Sequence, residues 1–342
     1  MMESHSELNP SKTTSQDAPF ESDSLPPQRK RLRKKIGNYW ALFILLSFLL
    51  GLGGGYLLGL RDLAGVNVGG ESTRVSESQD PTDTTTLVKQ INPPEGFTLP
   101  SNYGDIGPQM LTAGAINYDA FAGVYEKAGR PLTSEQIAIL SDGSNAPVVF
   151  NRENAYFLLN FFWALGLANE NPILTEGPMV QYSEGQIEGF ASTGGWTIAA
   201  KPITEVYASV PILSLSPEQQ NLVADVAERV YRPCCNNPTH FPDCNHGMAM
   251  LGMLELMASQ GASADEMFTA AKYANAFWYP QQSLELAAFF KYSQDLDFDQ
   301  VDSRLILGQN FSSASGFQTV HNYLASNGLL EQAPGSGNSC GV

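Results

Sequence analysis

Three of the four cysteines of this chain lie in one short loop, next to a histidine. Cys234, Cys235 and Cys244 are followed by His246, and the fourth cysteine, Cys340, lies near the C-terminus. Prolines within the loop restrict its backbone, so its side chains can converge on a ligand with little loss of conformational entropy. Three thiolates and one imidazole form a ligand set of tetrahedral zinc. The loop therefore predicts a metal site, with Cys340 as a mobile fifth ligand.

The residues around this loop widen the choice of metal. Asp243 and Asn245 are expected to orient the ligand side chains without binding the metal themselves, as residues adjacent to metal ligands commonly do. A set of methionines follows the histidine: Met248, Met250, Met253 and Met257. Thioether, thiolate and imidazole together suit Cu(I), although methionines at helical spacing are also typical of core packing. The predicted cofactor is therefore Zn or Cu, and the predicted function is metal binding, in trafficking or sensing.

Two other interpretations of the cysteines remain open. An even number of cysteines outside the cytoplasm is typical of disulfides, which would make the domain a stapled structural or interaction module. Alternatively, Cys234 and Cys235 are the working thiols of a thiol-disulfide oxidoreductase and Cys340 is the resolving thiol. The chain lacks a C-x-x-C motif and an H-E-x-x-H motif, and no G-x-S-x-G motif stands out, so the sequence does not decide whether it is an enzyme.

Helix signals dominate the region that must position these cysteines. Ser216 begins a capping box that is completed by Gln219, and Ser263 begins a second one that is completed by Glu266. Further helices are predicted from Asn151 to Leu165, from His246 to Ser259, and from Ser315 to Ser326. Strand signals are short and few: Pro147–Phe150 and Trp196–Ala199. The predicted fold is all-α, an irregular helical bundle, with at most a minor β-hairpin.

A long apolar segment precedes this domain. Residues 36–60 carry no charge and follow a cluster of six Lys and Arg in residues 29–35. About 20 apolar residues cross the roughly 30 Å hydrocarbon core of a bilayer, and basic residues stay on the cytoplasmic side. The sequence thus predicts a single-pass protein of the cell membrane with its N-terminus in the cytoplasm and an extracytoplasmic C-terminal domain. Glycines at four-residue spacing are compatible with a homodimer through this helix: Gly51, Gly55 and Gly59.

The amino-acid composition separates the predicted flexible segments of the rest of the chain from the predicted globular domain. Residues 1–35 are predicted to be a disordered basic tail, residues 61–104 a flexible stalk, and residues 334–342 a flexible Gly/Ser tail. The globular domain is predicted at residues 105–333, with the Cys/His loop at residues 233–247.

The net charge excludes one class of partner. The chain carries a formal charge of −16, and residues after 61 hold 30 Asp and Glu against 11 Lys and Arg. Such a domain repels nucleic-acid phosphates, so no nucleic-acid binding is expected. The sequence does not identify a protein partner.

Asp295, Asp297 and Asp299 resemble the start of a calcium loop, but Gln300 and Ile306 replace the glycine and glutamate that an EF-hand needs.

Overall fold

The computed structural model describes residues 84–330, and this part of the chain is mostly helical. Its longer helices are α1 (Thr84–Ile91), α2 (Ile106–Ala113), α3 (Tyr118–Lys127), α4 (Ser134–Ser141), α5 (Ala155–Ala168), α6 (Pro217–Ala227), α7 (Asn245–Ser259), α8 (Ala264–Trp278), α9 (Pro280–Gln294) and α10 (Ala314–Ser326). Its strands are β1 (Phe97–Gly104) and β2 (Ser144–Phe150). Shorter helical turns are Pro172–Thr175, Pro178–Tyr182, Ile187–Gly189, Ala191–Gly194, Ile203–Val206, Ser303–Ile306 and Gln309–Ser312.

The capping boxes that the sequence predicts are confirmed. The hydroxyl of Ser216 accepts a hydrogen bond from the backbone N–H of Gln219, and the Gln219 side chain accepts one from the Ser216 backbone N–H, which begins α6. Ser263 and Glu266 make the same reciprocal pair at the start of α8. Because each pair satisfies two N–H groups that a helix start leaves without partners, both helices begin where the sequence predicts.

Helices α5 and α7 form the centre of the core. Nearly every residue of both helices is buried, as their uniformly apolar sequences require. The two backbones touch at Gly166 and Gly252: a Cβ added at Gly252 would lie only 2.6 Å from the backbone nitrogen of Gly166. The methionines of α7 are buried in this core, which confirms the core-packing interpretation for Met250, Met253 and Met257.

The two strands form a small antiparallel sheet. Phe97 pairs with Phe150 and Gly104 with Ser144, and three helices separate the strands in the chain, so they do not form a hairpin. The strand predicted at Pro147–Phe150 is confirmed as part of β2. The strand predicted at Trp196–Ala199 is wrong. That segment packs as an irregular loop beside residues 114–117: the indole Nε1 of Trp196 donates to the carbonyl of Ala115, and the backbone N–H of Asn117 donates to the carbonyl of Ile198.

Residues 84–104 are part of the folded core, although they belong to the segment predicted as a flexible stalk. Leu87, Ile91 and Leu99 are almost fully buried. Leu87 and Ile91 are four residues apart and share one face of α1, which packs against α9. The ordered part of the chain therefore includes α1 and β1 in addition to the predicted domain.

The prediction of a membrane-spanning helix needs correction. In residues 84–330, no helix is both long enough and apolar enough to cross a bilayer. The predicted span at residues 36–60, with its glycines, and the predicted tails at both ends of the chain lie outside the described residues.

Two lysines bind the acidic segment at residues 295–299. Asp295 and Asp297 form ion pairs with Lys291. The buried ammonium of Lys272 donates to the backbone carbonyls of Phe298 at 3.0 Å and of Val301 at 3.1 Å. The ammonium of Lys272 thus satisfies the carbonyls of this turn, whose sequence does not match a calcium loop.

A carboxyl group is fully buried in the core near the far end of α7. The side chain of Glu255 accepts a hydrogen bond from the amide of Asn171, whose own Oδ1 accepts bonds from the Ile173 backbone and the Gln220 side chain. Burial raises the pKa of Glu255 well above its usual value, against the lowering effect of its amide partners. The folded protein therefore holds a proton that the unfolded chain releases.

Replacing Glu255 by glutamine should make the protein more stable at neutral pH. Because the folded-state pKa is raised, wild-type stability falls as the pH rises above the unfolded-state pKa of about 4.5. Glutamine keeps the acceptor for Asn171 and cannot ionise. We expect Glu255→Gln to melt several degrees above wild type at pH 8 and close to it at pH 4, with about 2–4 °C corresponding to 1 kcal/mol. Melting curves of both proteins across this pH range test the prediction, and a constant difference would contradict it.

Candidate metal centre

The cysteine loop connects α6 to α7 and is anchored at several points. The backbone N–H of Tyr231 donates to the carbonyl of Leu307, and the N–H of Thr239 donates to the carbonyl of Val230. The carbonyl of Cys235 accepts from the backbone N–H of Ala314, at the start of α10. These bonds hold an irregular segment in one conformation without strands or helices of its own. The loop therefore presents its side chains from a fixed backbone.

Arg232 holds the loop together from inside. Its guanidinium is 1% exposed and donates to the backbone carbonyls of Asn237 and Phe241. It forms an ion pair with Asp243, at 2.7 Å between Nη2 and Oδ1, and the other oxygen of that carboxylate accepts from the Asn237 side chain. The remaining donor, Nε, lies 3.0 Å from the Sγ of Cys244. Arg232 thus links three segments of the loop directly to one of the cysteines.

The sulfur atoms of Cys234, Cys235 and Cys244 meet at one point. The Sγ–Sγ distances are 3.3 Å between Cys234 and Cys235, 3.4 Å between Cys234 and Cys244, and 3.6 Å between Cys235 and Cys244. All three residues are free cysteines; Cys234 is exposed and the other two are partly buried. In residues 84–330, no histidine, aspartate or glutamate joins them in a larger group of ligand atoms within 4.8 Å of one another.

Of the three thiols, Cys244 is the one whose surroundings most favour the thiolate form. It is the N-cap of α7, and its Sγ accepts from the backbone N–H of Gly247 at 3.4 Å. Hydrogen bonds from Cys234 and Cys235 lower its pKa well below the usual value, and the positive charge of Arg232 lowers it further, against the effect of burial. A helix N-terminus and a guanidinium both stabilise a thiolate, so the negative charge of the cluster is centred on Cys244.

The other two thiols stay protonated when Cys244 is charged. For Cys234, the hydrogen bond with Cys235 lowers the pKa, but the bond to Cys244, burial and the negative charge of Cys244 together raise it to about 12. Hydrogen bonds to the other two sulfurs, with burial, raise the pKa of Cys235. Tyr279, at the junction of α8 and α9, donates its hydroxyl to the Sγ of Cys234 at 2.9 Å.

His246 is not part of the sulfur cluster. Its ring is buried and packs on Tyr279, with the ring centroids 4.4 Å apart, and its Nδ1 lies 2.9 Å from the Oδ1 of Asn245. Burial lowers the pKa of His246 to about 4, so the ring is neutral at physiological pH. Since Asn245 Oδ1 can only accept, the hydrogen lies on Nδ1, and Nε2 has no hydrogen-bond partner in the described part of the chain.

The structure thus brings together three of the five predicted ligands. Cys340 lies outside the described residues. Asp243 and Asn245, which the sequence predicts behind the ligands, contact Arg232 and His246 respectively. Two further residues, Arg232 and Tyr279, donate to cysteine sulfurs from their side chains and are not predicted by the sequence. The position of Arg232 only two residues before the Cys-Cys pair is the one sequence signal that pointed to it.

Comparison with known proteins adds no relative. No protein-family model matches this chain, and neither a curated protein nor a solved structure shows significant similarity to it. The geometry of the cysteine cluster is therefore the basis for the proposals below.

Proposed function

We propose that this protein binds one thiophilic metal ion through Cys234, Cys235 and Cys244. The observation that supports the proposal is the mutual approach of three free thiols in residues 84–330, whose sulfur atoms lie within 3.6 Å of one another. Thiolates are ligands of zinc and of Cu(I), and three of them around one point form a chelate.

The spacing of the sulfurs fits one ion. With metal–sulfur bonds of about 2.3 Å, an ion equidistant from three sulfurs about 3.4 Å apart lies about 1.2 Å above their plane. No rearrangement of the loop backbone is needed to reach this position. The Arg232 bonds that hold Cys244, and the Tyr279 bond that holds Cys234, orient two of the three ligands before the ion arrives. Such preorganisation lowers the entropic cost of binding.

In residues 84–330, no histidine, aspartate, glutamate or further cysteine reaches the coordination position opposite the three sulfurs, which an external ligand can therefore take. Sites that keep an open position exchange ligands or activate a bound molecule, whereas structural zinc sites are closed by four protein ligands. The exposure of Cys234 gives a partner's ligand access to the ion. These features favour a site that takes up and releases its ion, in metal trafficking or sensing, over a purely structural one.

Titration of the reduced full-length protein with Cd(II) tests the proposal. Cadmium–thiolate bonds absorb in the ultraviolet, so the absorbance should rise linearly and stop at one equivalent. Cys234→Ser and Cys244→Ser should each weaken binding by at least about 100-fold, because each removes one of three ligands. Cys340→Ser makes the same chemical change at a cysteine outside the described residues and should leave the titration unchanged if the three clustered thiols suffice.

Two outcomes would overturn or modify the proposal. Equal binding by wild type and Cys244→Ser would show that the cluster is not the metal site. A loss of affinity in Cys340→Ser equal to that in Cys234→Ser would show that the C-terminal thiol is a fourth ligand, as the sequence predicts. Melting temperatures of all variants without metal separate loss of ligands from loss of folding.

The charge distribution within the cluster favours a second candidate function, thiol-disulfide exchange. A thiolate at Cys244 can attack a low-molecular-weight disulfide, releasing one thiolate and forming a mixed disulfide. The thiol of Cys234, 3.4 Å away, then displaces the second small thiol and forms a Cys234–Cys244 disulfide. Oxidised glutathione should therefore produce this disulfide in the metal-free protein, as seen by peptide mapping, and a reducing agent should reverse it. Random pairing of all four cysteines would contradict it.

A further inference from the structure

We infer that the ion at this site is Cu(I), held by three cysteine sulfurs without a protein nitrogen ligand. The inference rests on the proposed function and deepens it, because the sequence leaves zinc and copper open. It depends on three features of the site: the number of ligands, their chemical type, and the charges around them.

The number of ligands disfavours zinc. Zinc in proteins takes four ligands, and a set of three cysteines leaves one position to be filled from outside. In the described part of the chain, no histidine, aspartate, glutamate or further cysteine is close enough to fill it. His246, the fourth ligand that the sequence predicts, has an Nε2 without a hydrogen-bond partner in the described residues, but neither of its ring nitrogens lies within 4.8 Å of all three sulfurs. Asp243 is paired with Arg232 and Asn237. Monovalent copper is stable with three ligands and needs no fourth.

The type of ligand favours copper as well. All three donors are sulfur, and soft thiolates select Cu(I), whereas imidazole and carboxylate ligands suit harder divalent ions. An opening of the sulfur triangle by about 0.5 Å on each side would bring an ion with bonds of about 2.3 Å into the plane of the sulfurs, as three-coordinate Cu(I) prefers.

The charges around the sulfurs act in the same direction. Positive or partly positive donors contact two of the ligands: Arg232 Nε and the N-terminus of α7 at Cys244, and the Tyr279 hydroxyl at Cys234. Repulsion between a fixed positive charge and a metal ion grows with the charge of the ion, so these donors disfavour a divalent ion more than a monovalent one. They also offset the negative charge that three thiolates keep after binding a single positive charge. Asp243 reduces this effect of Arg232 without removing it.

Competition between the two ions tests the inference. The reduced full-length protein is mixed under anaerobic conditions with one equivalent of Cu(I), supplied as its coloured bicinchoninate complex, and about a tenfold excess of Zn(II). We expect the protein to remove Cu(I) from the complex and to retain it, while zinc stays in solution. X-ray absorption of the loaded protein should show three sulfur neighbours and no nitrogen. His246→Gln should bind Cu(I) as wild type does, and Cys234→Ser should lose it.

The failures of the two proposals are distinguishable. If Cd(II) binds the three cysteines but zinc displaces Cu(I), the copper inference is wrong and the metal site stands. A nitrogen neighbour in the X-ray absorption, or weaker Cu(I) binding by a folded His246→Gln, would also overturn the inference. If neither Cd(II), Zn(II) nor Cu(I) binds, both proposals are wrong.

Discussion

Replacing Gly247 by alanine should weaken both metal binding and folding, although alanine is the better helix former. A Cβ at this position would lie 2.5 Å from the Cζ of Arg232 and 2.8 Å from its Nε. A flexible side chain would simply move away, but Arg232 is buried and held by an ion pair and by hydrogen bonds to Asn237, Phe241 and Cys244. Moving the guanidinium breaks several of these bonds at once.

The expected loss follows from the partners that the displacement leaves unsatisfied. Breaking a buried ion pair by displacing one partner costs about 3–5 kcal/mol, and part of this is recovered if Asp243 reaches water, so we expect a loss of about 3 kcal/mol in the free energy of unfolding. The bond from Arg232 to Cys244 would also be lost. Residues that hydrogen-bond to metal ligands typically contribute 10–100-fold to metal affinity, so Cd(II) binding should weaken by about that factor.

Gly123→Ala provides a matched control for this substitution. Gly123 lies in α3, and no atom outside its own helix lies within 4 Å of a Cβ added there. The same change should therefore stabilise the protein slightly, by up to about 1 kcal/mol, and leave the titration with Cd(II) unaltered. Chemical denaturation and titration of both variants complete the test. A Gly247→Ala protein as stable as Gly123→Ala would show that Arg232 is free to move.

The convergence of the cysteines could be predicted from the sequence, but its details could not. The short spacing of Cys234, Cys235 and Cys244, in a loop that prolines restrict, correctly predicts that their side chains form one group. The position of His246 depends on where α7 begins. Because Cys244 is the N-cap and His246 is the second helical residue, their side chains diverge, as residues two apart in a helix do. The sequence signals predict the helix start at His246, one residue late, and therefore make both residues candidate ligands of the loop.

The fold shows the same division between local and long-range information. Helices that begin at capping boxes were predicted closely because the signal is local, as at Ser216 and Ser263. The capping box at Thr133 and Gln136 was equally readable and was missed. Strand β1 could not be read locally, because its partner β2 lies beyond three helices. Trp196–Ala199 has the apolar pattern of a strand, but its neighbour in the fold is the irregular segment at residues 114–117, which bonds to its backbone without forming a strand.

Alanine at Gly252 should destabilise the whole protein more than any other change of this size considered above. Gly252 and Gly166 lie where α7 and α5 cross, and each would direct a Cβ into the other backbone: 2.6 Å from the nitrogen of Gly166 in one case and 2.9 Å from the nitrogen of Gly252 in the other. Backbone atoms of a packed helix cannot rotate away as a side chain can. The helices must instead separate, which loosens the side chains packed along both of them.

We expect Gly252→Ala and Gly166→Ala each to lower the free energy of unfolding by about 3 kcal/mol or more, the range of severe overpacking in a core. The two sites share one contact, so the double variant should lose much less than the two single losses combined: the first substitution already separates the helices. Denaturant unfolding of the three variants beside Gly123→Ala measures this coupling. Additive losses would show that the helices do not cross at these glycines. Because the same α7 carries Cys244 at its start, Cd(II) affinity should also fall in the single variants, which would link the position of the metal centre to the helix crossing that supports it.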